Sequence, residues 1–355
     1  MIIKSKTKNY EVNIINSWEE LEKKINSFNN SFFVIDKKLY ELYKDFFSKF
    51  NTTPFLLEAI EEKKNVQTAL NICEAIAEKP SKRNTTIISF GGGITQDITG
   101  FVANIMYRGI KWIFVPTTLL AACDSCIGGK TSLNFGKFKN LLGTFFPPDE
   151  ILIQPDFFQT LSQADLMSGL GEIVKFHVMM GENGLTEMEE IVDRLLSKDK
   201  LMLSKTVVQS LNFKKTFIEE DEFDKGVRIK LNFAHTFGHA LEVSSNYAIP
   251  HGSAVALGML AAGSVSVNRK ILNEDIQKRV LNVVRKIIPF ELKQEWLNPD
   301  VLVNAIKKDK KQTGNGITAV LLNNSYSLIV TNDVNKEELL SAFEYLKNNF
   351  SMRKE

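Results

Sequence analysis

Thr85-Thr86-Ile87-Ile88-Ser89-Phe90-Gly91-Gly92-Gly93-Ile94-Thr95-Gln96-Asp97 starts as a β-branched, apolar run and passes through three glycines into residues that can begin a helix. A strand that ends in glycine and hands over directly to a helix is the repeating step of a parallel α/β sheet. Glycines let backbone N–H groups approach an anion closely, and the start of the next helix adds partial positive charge. The spacing is not the dinucleotide pattern Gly-x-Gly-x-x-Gly, and a tight turn would use the same glycines. Asp36 favours the phosphate reading, because an acid closing an early strand is placed to hold the ribose hydroxyls of a nicotinamide cofactor.

Outward from this stretch, further β-branched and aromatic runs fall at residues 10–15, 31–35, 110–115 and 150–153, separated by helical patterns. After Pro155 nearly everything reads as amphipathic helix, apart from one hairpin signal at 317–322 and 326–330. The expectation is an α/β domain over residues 1–155 and an all-α domain over residues 156–355. Two domains also suit 355 residues, since single cores stop growing at about 250–300 residues. Lys+Arg 44 against Asp+Glu 42 leaves +2, so bulk charge argues for neither nucleic acid nor an anionic membrane. Residues 251–268 carry no charge and touch the length of a membrane span, but their serines, glycines and alanines suit a helix buried among others. The first ten residues lack an apolar signal core, and three cysteines (Cys73, Cys123, Cys126) suit a reducing cytosol. Cys123 and Cys126 have no second cysteine pair to complete a metal site and read as structural. A cytoplasmic enzyme is expected.

The chain has only four histidines, and three lie within seventeen positions: His235-Thr-Phe-Gly-His239 and His251. Imidazole is the commonest neutral metal ligand. His235 and His239 are four apart, hence one turn apart on a helix, and His251 follows a segment that lets the chain return. Two imidazoles and one carboxylate would make a three-ligand cation site with an open fourth position. Glu172, three residues before Lys175 in Gly171-Glu-Ile-Val-Lys175, is the proposed carboxylate, although a surface Glu–Lys pair is the plainer reading of that segment.

Cations and polar residues embedded in apolar, glycine-rich sequence need partners if buried. Arg108, Thr117, Thr118, Asp124, Lys130, Lys139 and Asn140 form one such set. Lys214, Arg228 and Asn232 form another, and the spacings from Arg228 to Asn232 to His235 to His239 predict one helical stripe. A small polyanionic substrate would supply the partners. Glu61 and Lys64 form a further polar pair, for which a solvated face is the plainer reading.

Taken together, Gly91-Gly-Gly-Ile-Thr-Gln-Asp97, Arg108-Gly, Val115-Pro-Thr-Thr, Asp124, Gly-Gly-Lys130, Lys139-Asn140, Gly-Glu172-Ile-Val-Lys175, Arg228, Asn232-Phe-Ala-His235-Thr-Phe-Gly-His239 and His251-Gly resemble the 3-dehydroquinate synthases. Lys308-Asp-Lys310-Lys311 echoes a late basic motif of the same family. The resemblance implies a Rossmann-like N-terminal domain, an all-α C-terminal domain and an active site in the cleft between them. It implies NAD held by Asp36, Glu61, Lys64, Gly91, Gly92, Gly93, Asp97, Thr117, Thr118, Lys130 and Lys139. It implies Glu172, His235 and His251 as ligands of a divalent metal, Zn2+ or alternatively Co2+. A sugar phosphate bearing a carboxylate would be enclosed by Lys130, Asn140, Lys175, Lys214, Arg228, Asn232, His239 and Lys310 or Lys311, with Asp124 among the catalytic groups. A homodimer is implied, with Arg108 serving the neighbouring copy's site.

Three positions depart from the family pattern. Ser253 stands where Glu is usual after His-Gly, Phe135-Gly-Lys-Phe138 replaces Pro-Leu-Gly, and Ala234 replaces a glycine before His235. The branches of the superfamily that form deoxy-inosose or valiolones tend to replace the residues corresponding to Arg228 and Asn232. Both are present here, which favours a carboxylate-bearing substrate. The other readings are another sugar-phosphate cyclase, a metal-dependent polyol dehydrogenase of similar fold, and a non-catalytic NAD-binding homologue.

Overall fold

Every apolar run of the N-terminal half forms a strand, to within two residues at either end, in the computed structural model, which describes residues 1–80, 82–136, 138–307 and 317–350. The strands are β1 (Ile2–Ile3), β2 (Tyr10–Ile14), β3 (Ser31–Asp36), β4 (Phe55–Leu57), β5 (Thr86–Gly91), β6 (Trp112–Pro116), β7 (Lys130–Phe135), β8 (Phe138–Phe145) and β9 (Glu150–Ile153). Among the described residues, seven of them make one sheet in the order β1-β2-β9-β6-β5-β3-β4. Only the β1–β2 pair is antiparallel. These strands lie in the first of two compact units, Met1–Leu161; the second is Ser162–Glu355.

β5, β6 and β9 are buried along their whole length, as expected of parallel strands covered on both faces. Phe33, Ile35, Ile88, Phe90, Ile113 and Val115 point to one face and pack with Leu21, Ile25, Phe46, Phe47, Phe50 and Phe157. The alternate residue Ser89 faces the other way and donates to Thr99 Oγ1 (3.0 Å) on the helix Gly93–Ile105. Because β3, β5 and β6 run in the same direction and in register, their carboxyl ends Asp36, Gly91 and Pro116 lie at one edge of the sheet. That edge is where open α/β sheets bind ligands.

β7 and β8 form a separate antiparallel hairpin that the sequence reading missed, with Phe135 opposite Phe138 and Gly136 in a left-handed turn (φ 57°). Phe135 and Phe138, the two ends of that departure from the family pattern, are both exposed at the hairpin tip.

The second unit is predominantly helical: Gln163–Met179, Glu182–Leu196, Lys200–Glu220, His235–Ser244, His251–Asn268, Glu274–Ile287, Pro299–Lys307 and Lys336–Phe350. It is not all-helical, because β10 (Ile317–Leu322) pairs with β11 (Leu328–Val334), a later second strand than the pattern predicts. The uncharged helix His251–Asn268 is buried on every side from Gly252 to Ser266, the mark of a central core helix. Among the described residues no helix is long and apolar enough to cross a membrane.

The fourth histidine, His177, lies in the last turn of Gln163–Met179, fully buried, with Nδ1 against the Ile173 carbonyl (2.9 Å). Burial pushes its pKa below the usual imidazole value. The unfolded chain therefore takes up a proton first, and stability is lost as pH falls below about 6.5. Urea unfolding followed across this range should show a shallower acid limb for His177→Gln than for the parent. Equal slopes would exclude His177 as the source.

Candidate active site

Two helix crossings assemble the histidines and the carboxylate. Gly171, next to Glu172, faces Gly252, next to His251. A Cβ on Gly171 would lie 1.9 Å from the Gly252 carbonyl oxygen, and one on Gly252 would lie 1.7 Å from that of Ser168. Only glycine lets these backbones touch, and the Gly252 N–H donates to Ser168 Oγ (3.1 Å) across the contact. Gly258 meets the Ala234 carbonyl in the same way and brings up the helix His235–Ser244.

Glu172 Oε1 then lies 3.2 Å from His251 Nε2 and 3.6 Å from His235 Nε2. Cation–ligand bonds of about 2.0–2.2 Å in a tetrahedron put ligand atoms roughly 3.3–3.6 Å apart, so the three atoms fit a divalent cation. Both Glu172 oxygens are sealed from water and, though ion-paired, lack a hydrogen bond of ordinary geometry, which suits a carboxylate built to hold a cation. Each imidazole turns its other nitrogen to an acceptor: His235 Nδ1 to the Phe233 carbonyl (3.0 Å), His251 Nδ1 to Glu242 Oε2 (3.3 Å). Burial disfavours the His251 cation, yet the facing Glu172 and Glu242 carboxylates overcome it and push His251 up to about 10. Burial would raise Glu172, but Lys175 and His251 hold it well below the usual carboxylate range. Glu242 escaped the sequence reading; its place seven residues after His235 and three after His239 was the available signal.

The Glu172–Lys175 pair is no surface pair. Both side chains are buried, Lys175 Nζ is 2.6 Å from Glu172 Oε2, and it also donates to the Leu231 carbonyl (3.1 Å). Lys214 on Lys200–Glu220 and Arg228 are buried as well, with Arg228 Nη1 donating to the Glu222 carbonyl. The expected continuous stripe from Arg228 to His239 does not form. Val227–Asn232 is a 3-10 turn, Phe233 is extended, and Ala234 is left-handed (φ 74°) before the helix starts at His235. Ala234 thus occupies a conformation suited to the glycine usual at this position. Asn232 is half-buried at the end of the turn, and the His239 ring lies 5.3 Å from that of His235 and 5.9 Å from that of His251. Lys308, Lys310 and Lys311 lie outside the described residues.

In the first unit the glycine loop joins β5 to the helix Gly93–Ile105, with Gly92 as an N-cap that has no side-chain cap bond. Close packing requires glycine here, since Gly92 has an ordinary φ of −90°. A Cβ on Gly91 would lie 2.4 Å from Thr95 Oγ1 and one on Gly92 3.0 Å from Thr118 Cγ2, whereas Gly93 has only Ser125 Oγ near it, at 3.8 Å. This open cradle at a helix N-terminus fits a phosphate. Thr117 N–H donates to the Gly91 carbonyl (2.9 Å), and Thr118 Oγ1 accepts from Ala121 N–H (3.2 Å) before the helical turn that carries half-buried Asp124. Asp36 Oδ1 accepts from Lys38 N–H (2.9 Å) at the end of β3.

Glu61 and Lys64 meet only through the backbone, Lys64 N–H donating to the Glu61 carbonyl (3.1 Å), and their side chains pair elsewhere. Buried Lys64 reaches Asp97 Oδ2 (2.5 Å) and donates to Asn140 Oδ1 (2.6 Å), while Glu61 faces Lys139 (3.6 Å) and accepts from Asn134 Nδ2 (2.8 Å). Ser132 Oγ bridges Asp97 and Asn140 (3.0 and 2.9 Å). Burial raises the Asp97 carboxyl against the pull of Lys64 and Ser132. Ser132 and Asn134 were missed, although they alternate with Lys130 along one face of β7. Lys130 itself is exposed at the start of that strand, and exposed Arg108 lies on a left-handed turn (φ 67°).

Residues 54–168 match the 3-dehydroquinate synthase N-terminal family model and residues 169–312 the C-terminal one. The 3-dehydroquinate synthase of Clostridium tetani is 37% identical over 326 residues, 90% of this chain and 87% of the relative. The structure of 2-epi-5-epi-valiolone synthase from Streptomyces hygroscopicus subsp. jinggangensis 5008, with NAD+ and Zn2+ bound, is similar with a TM-score of 0.86 and 24% identity over 96% of this chain and 97% of that one. A 2-deoxy-scyllo-inosose synthase complexed with carbaglucose-6-phosphate, NAD+ and Co2+ gives 0.84 and 23% over 98% and 99%. These two likenesses establish the fold, a Rossmann-like sheet domain followed by a helical domain. With both halves of the family model matched in order and a relative aligned along most of its length, the chain belongs to the 3-dehydroquinate synthase family.

Proposed function

We propose that the chain converts 3-deoxy-arabino-heptulosonate 7-phosphate into 3-dehydroquinate and phosphate, as a cytoplasmic homodimer using NAD and a divalent cation, Zn2+ or alternatively Co2+. The observation that carries this reading is the triad of buried Glu172 with the partly exposed His235 and His251, in the same unit as buried Lys175, Lys214 and Arg228. When bound, the cation supplies a Lewis acid for a substrate hydroxyl and NAD a reversible hydride acceptor, so the cofactor is returned each turnover. The cation's ligands are Glu172, His235 and His251. The cofactor's contacts are Asp36, Glu61, Lys64, Gly91, Gly92, Gly93, Asp97, Thr117, Thr118, Lys130 and Lys139.

The remaining work is positioning and charge stabilisation. Arg228 offers a planar fork for the substrate carboxylate, one nitrogen of which is fixed by the Glu222 carbonyl. Lys175, Lys214 and His239 take the phosphate and hydroxyls together with Asn232, and the family resemblance assigns Lys130, Asn140, Asp124 and Lys310 or Lys311 to the substrate as well. Lys175, held by Glu172 and the Leu231 carbonyl, presents its charge at a fixed point. The test offers the metal-loaded protein this heptulosonate beside sedoheptulose 7-phosphate and glucose 6-phosphate. Phosphate should be released from the heptulosonate with no net NADH. Release only from a neutral-ended sugar, or steady NADH accumulation, would overturn the reading.

In the homodimer Arg108 serves the neighbouring copy's substrate. Its exposure and left-handed backbone, followed by Gly109 at φ 117°, support a side chain aimed outward. Mixing Arg108→Ala with Lys130→Ala subunits rebuilds one intact site per mixed dimer and should restore up to roughly a quarter of the sites. If no mixture exceeds either parent, Arg108 acts within its own chain.

A further inference from the structure

The two proposed imidazole ligands are held by different devices. His235 Nδ1 is fixed by a main-chain carbonyl, that of Phe233, which side-chain substitution leaves in place. His251 is the first residue of its helix, follows Pro250, and is 35% exposed, so main chain and packing constrain its ring less. What faces its outer edge is a carboxylate. Glu242 Oε2 lies 3.3 Å from Nδ1, while Nε2 on the opposite edge points at Glu172 Oε1 (3.2 Å).

We propose that Glu242 is the positioning residue for His251: its carboxylate accepts the Nδ1 proton, sets the ring's rotation and leaves Nε2 as the atom that binds the cation. The inference rests on Glu172, His235 and His251 being the ligands. A ligating imidazole needs its second nitrogen committed in this way, because the hydrogen bond selects the tautomer and raises the basicity of the ligating atom. Ser253, small and buried two residues after His251, offers no carboxylate where the family usually has one. Glu242 supplies it from the neighbouring helix. The same residues define the alternative, since His239, Glu242 and His251 also place one ligand atom each within 4.8 Å of one another.

Zinc affinity measured by chelator competition on the full chain separates these cases. Glu242→Ala should weaken zinc binding roughly 10- to 100-fold. Glu242→Gln, whose amide oxygen still accepts from Nδ1, should recover most of that loss. Unfolding midpoints with chelator present should be alike for both. Wild-type affinity in Glu242→Ala would overturn the proposal, and so would Glu242→Gln as weak as Glu242→Ala, which would make Glu242 a ligand. Glu172→Gln reports on the ligand set itself: unchanged affinity there would sink the triad, whatever Glu242 does. The nitrogen NMR spectrum of His251 in the zinc-loaded parent needs no variant. It should show a protonated Nδ1, and the reverse tautomer would also overturn the proposal.

Discussion

His251→Ala should leave the protein folded, without stoichiometric metal after dialysis, and with turnover reduced by at least about a thousandfold. Removing the imidazole leaves Glu172 and His235, two ligands where a catalytic cation site needs three. The magnitude follows from losing several kcal/mol of Lewis-acid stabilisation, each 1.4 kcal/mol being about tenfold in rate. His251 is partly exposed, so truncation opens no deep core cavity and the loss falls on chemistry rather than folding. Glu172→Gln should lose metal too, with an added stability cost of about 3–5 kcal/mol, because buried Lys175 keeps its charge and loses its carboxylate. Elemental analysis of both dialysed variants beside a phosphate-release assay decides the matter. Full occupancy in His251→Ala would show that the cation sits elsewhere.

The sequence pointed to these residues because imidazole is scarce in this chain and clustered. It pointed to the sheet because fully buried parallel strands read as near-continuous apolar runs, as β6 does throughout and β5 and β9 do with few polar interruptions. The hairpin β7–β8 was not legible for the opposite reason. Its strands carry Lys130, Ser132, Asn134, Lys139 and Asn140, and such polar residues read as a ligand motif before they read as a sheet. The broken stripe after Arg228 turns on Ala234, whose left-handed backbone leaves no trace in its identity; a glycine there would have announced the break. Glu61 and Lys64 looked like partners from their spacing, but a 3-10 turn, Glu61–Lys63, sends one to Lys139 and the other to Asp97. Local spacing fixes neighbours along an element, while polar pairing across elements depends on tertiary packing.

Gly252→Ala should disrupt the site from a position that supplies no ligand atom. The new Cβ would stand 1.7 Å from the Ser168 carbonyl oxygen, about half an ordinary contact, and that atom is backbone within the helix Gln163–Met179. Neither helix can yield locally, so the two must separate by more than an ångström. Glu172 and His251 ride on opposite sides of this contact, and their 3.2 Å approach would widen beyond what one cation can span. Overpacking of this kind costs about 1–3 kcal/mol or more, and the Gly252–Ser168 hydrogen bond goes with it. Gly263→Ala on the same helix is the control. Its Cβ would meet the end of the Gln277 side chain at 1.9 Å, a group that can rotate away at the cost of its bond to the Leu260 carbonyl. Both variants should lose stability in urea unfolding, but only Gly252→Ala should lose zinc affinity in a chelator titration. Equal zinc affinity in the two would mean that the helix crossing does not set the distance between Glu172 and His251.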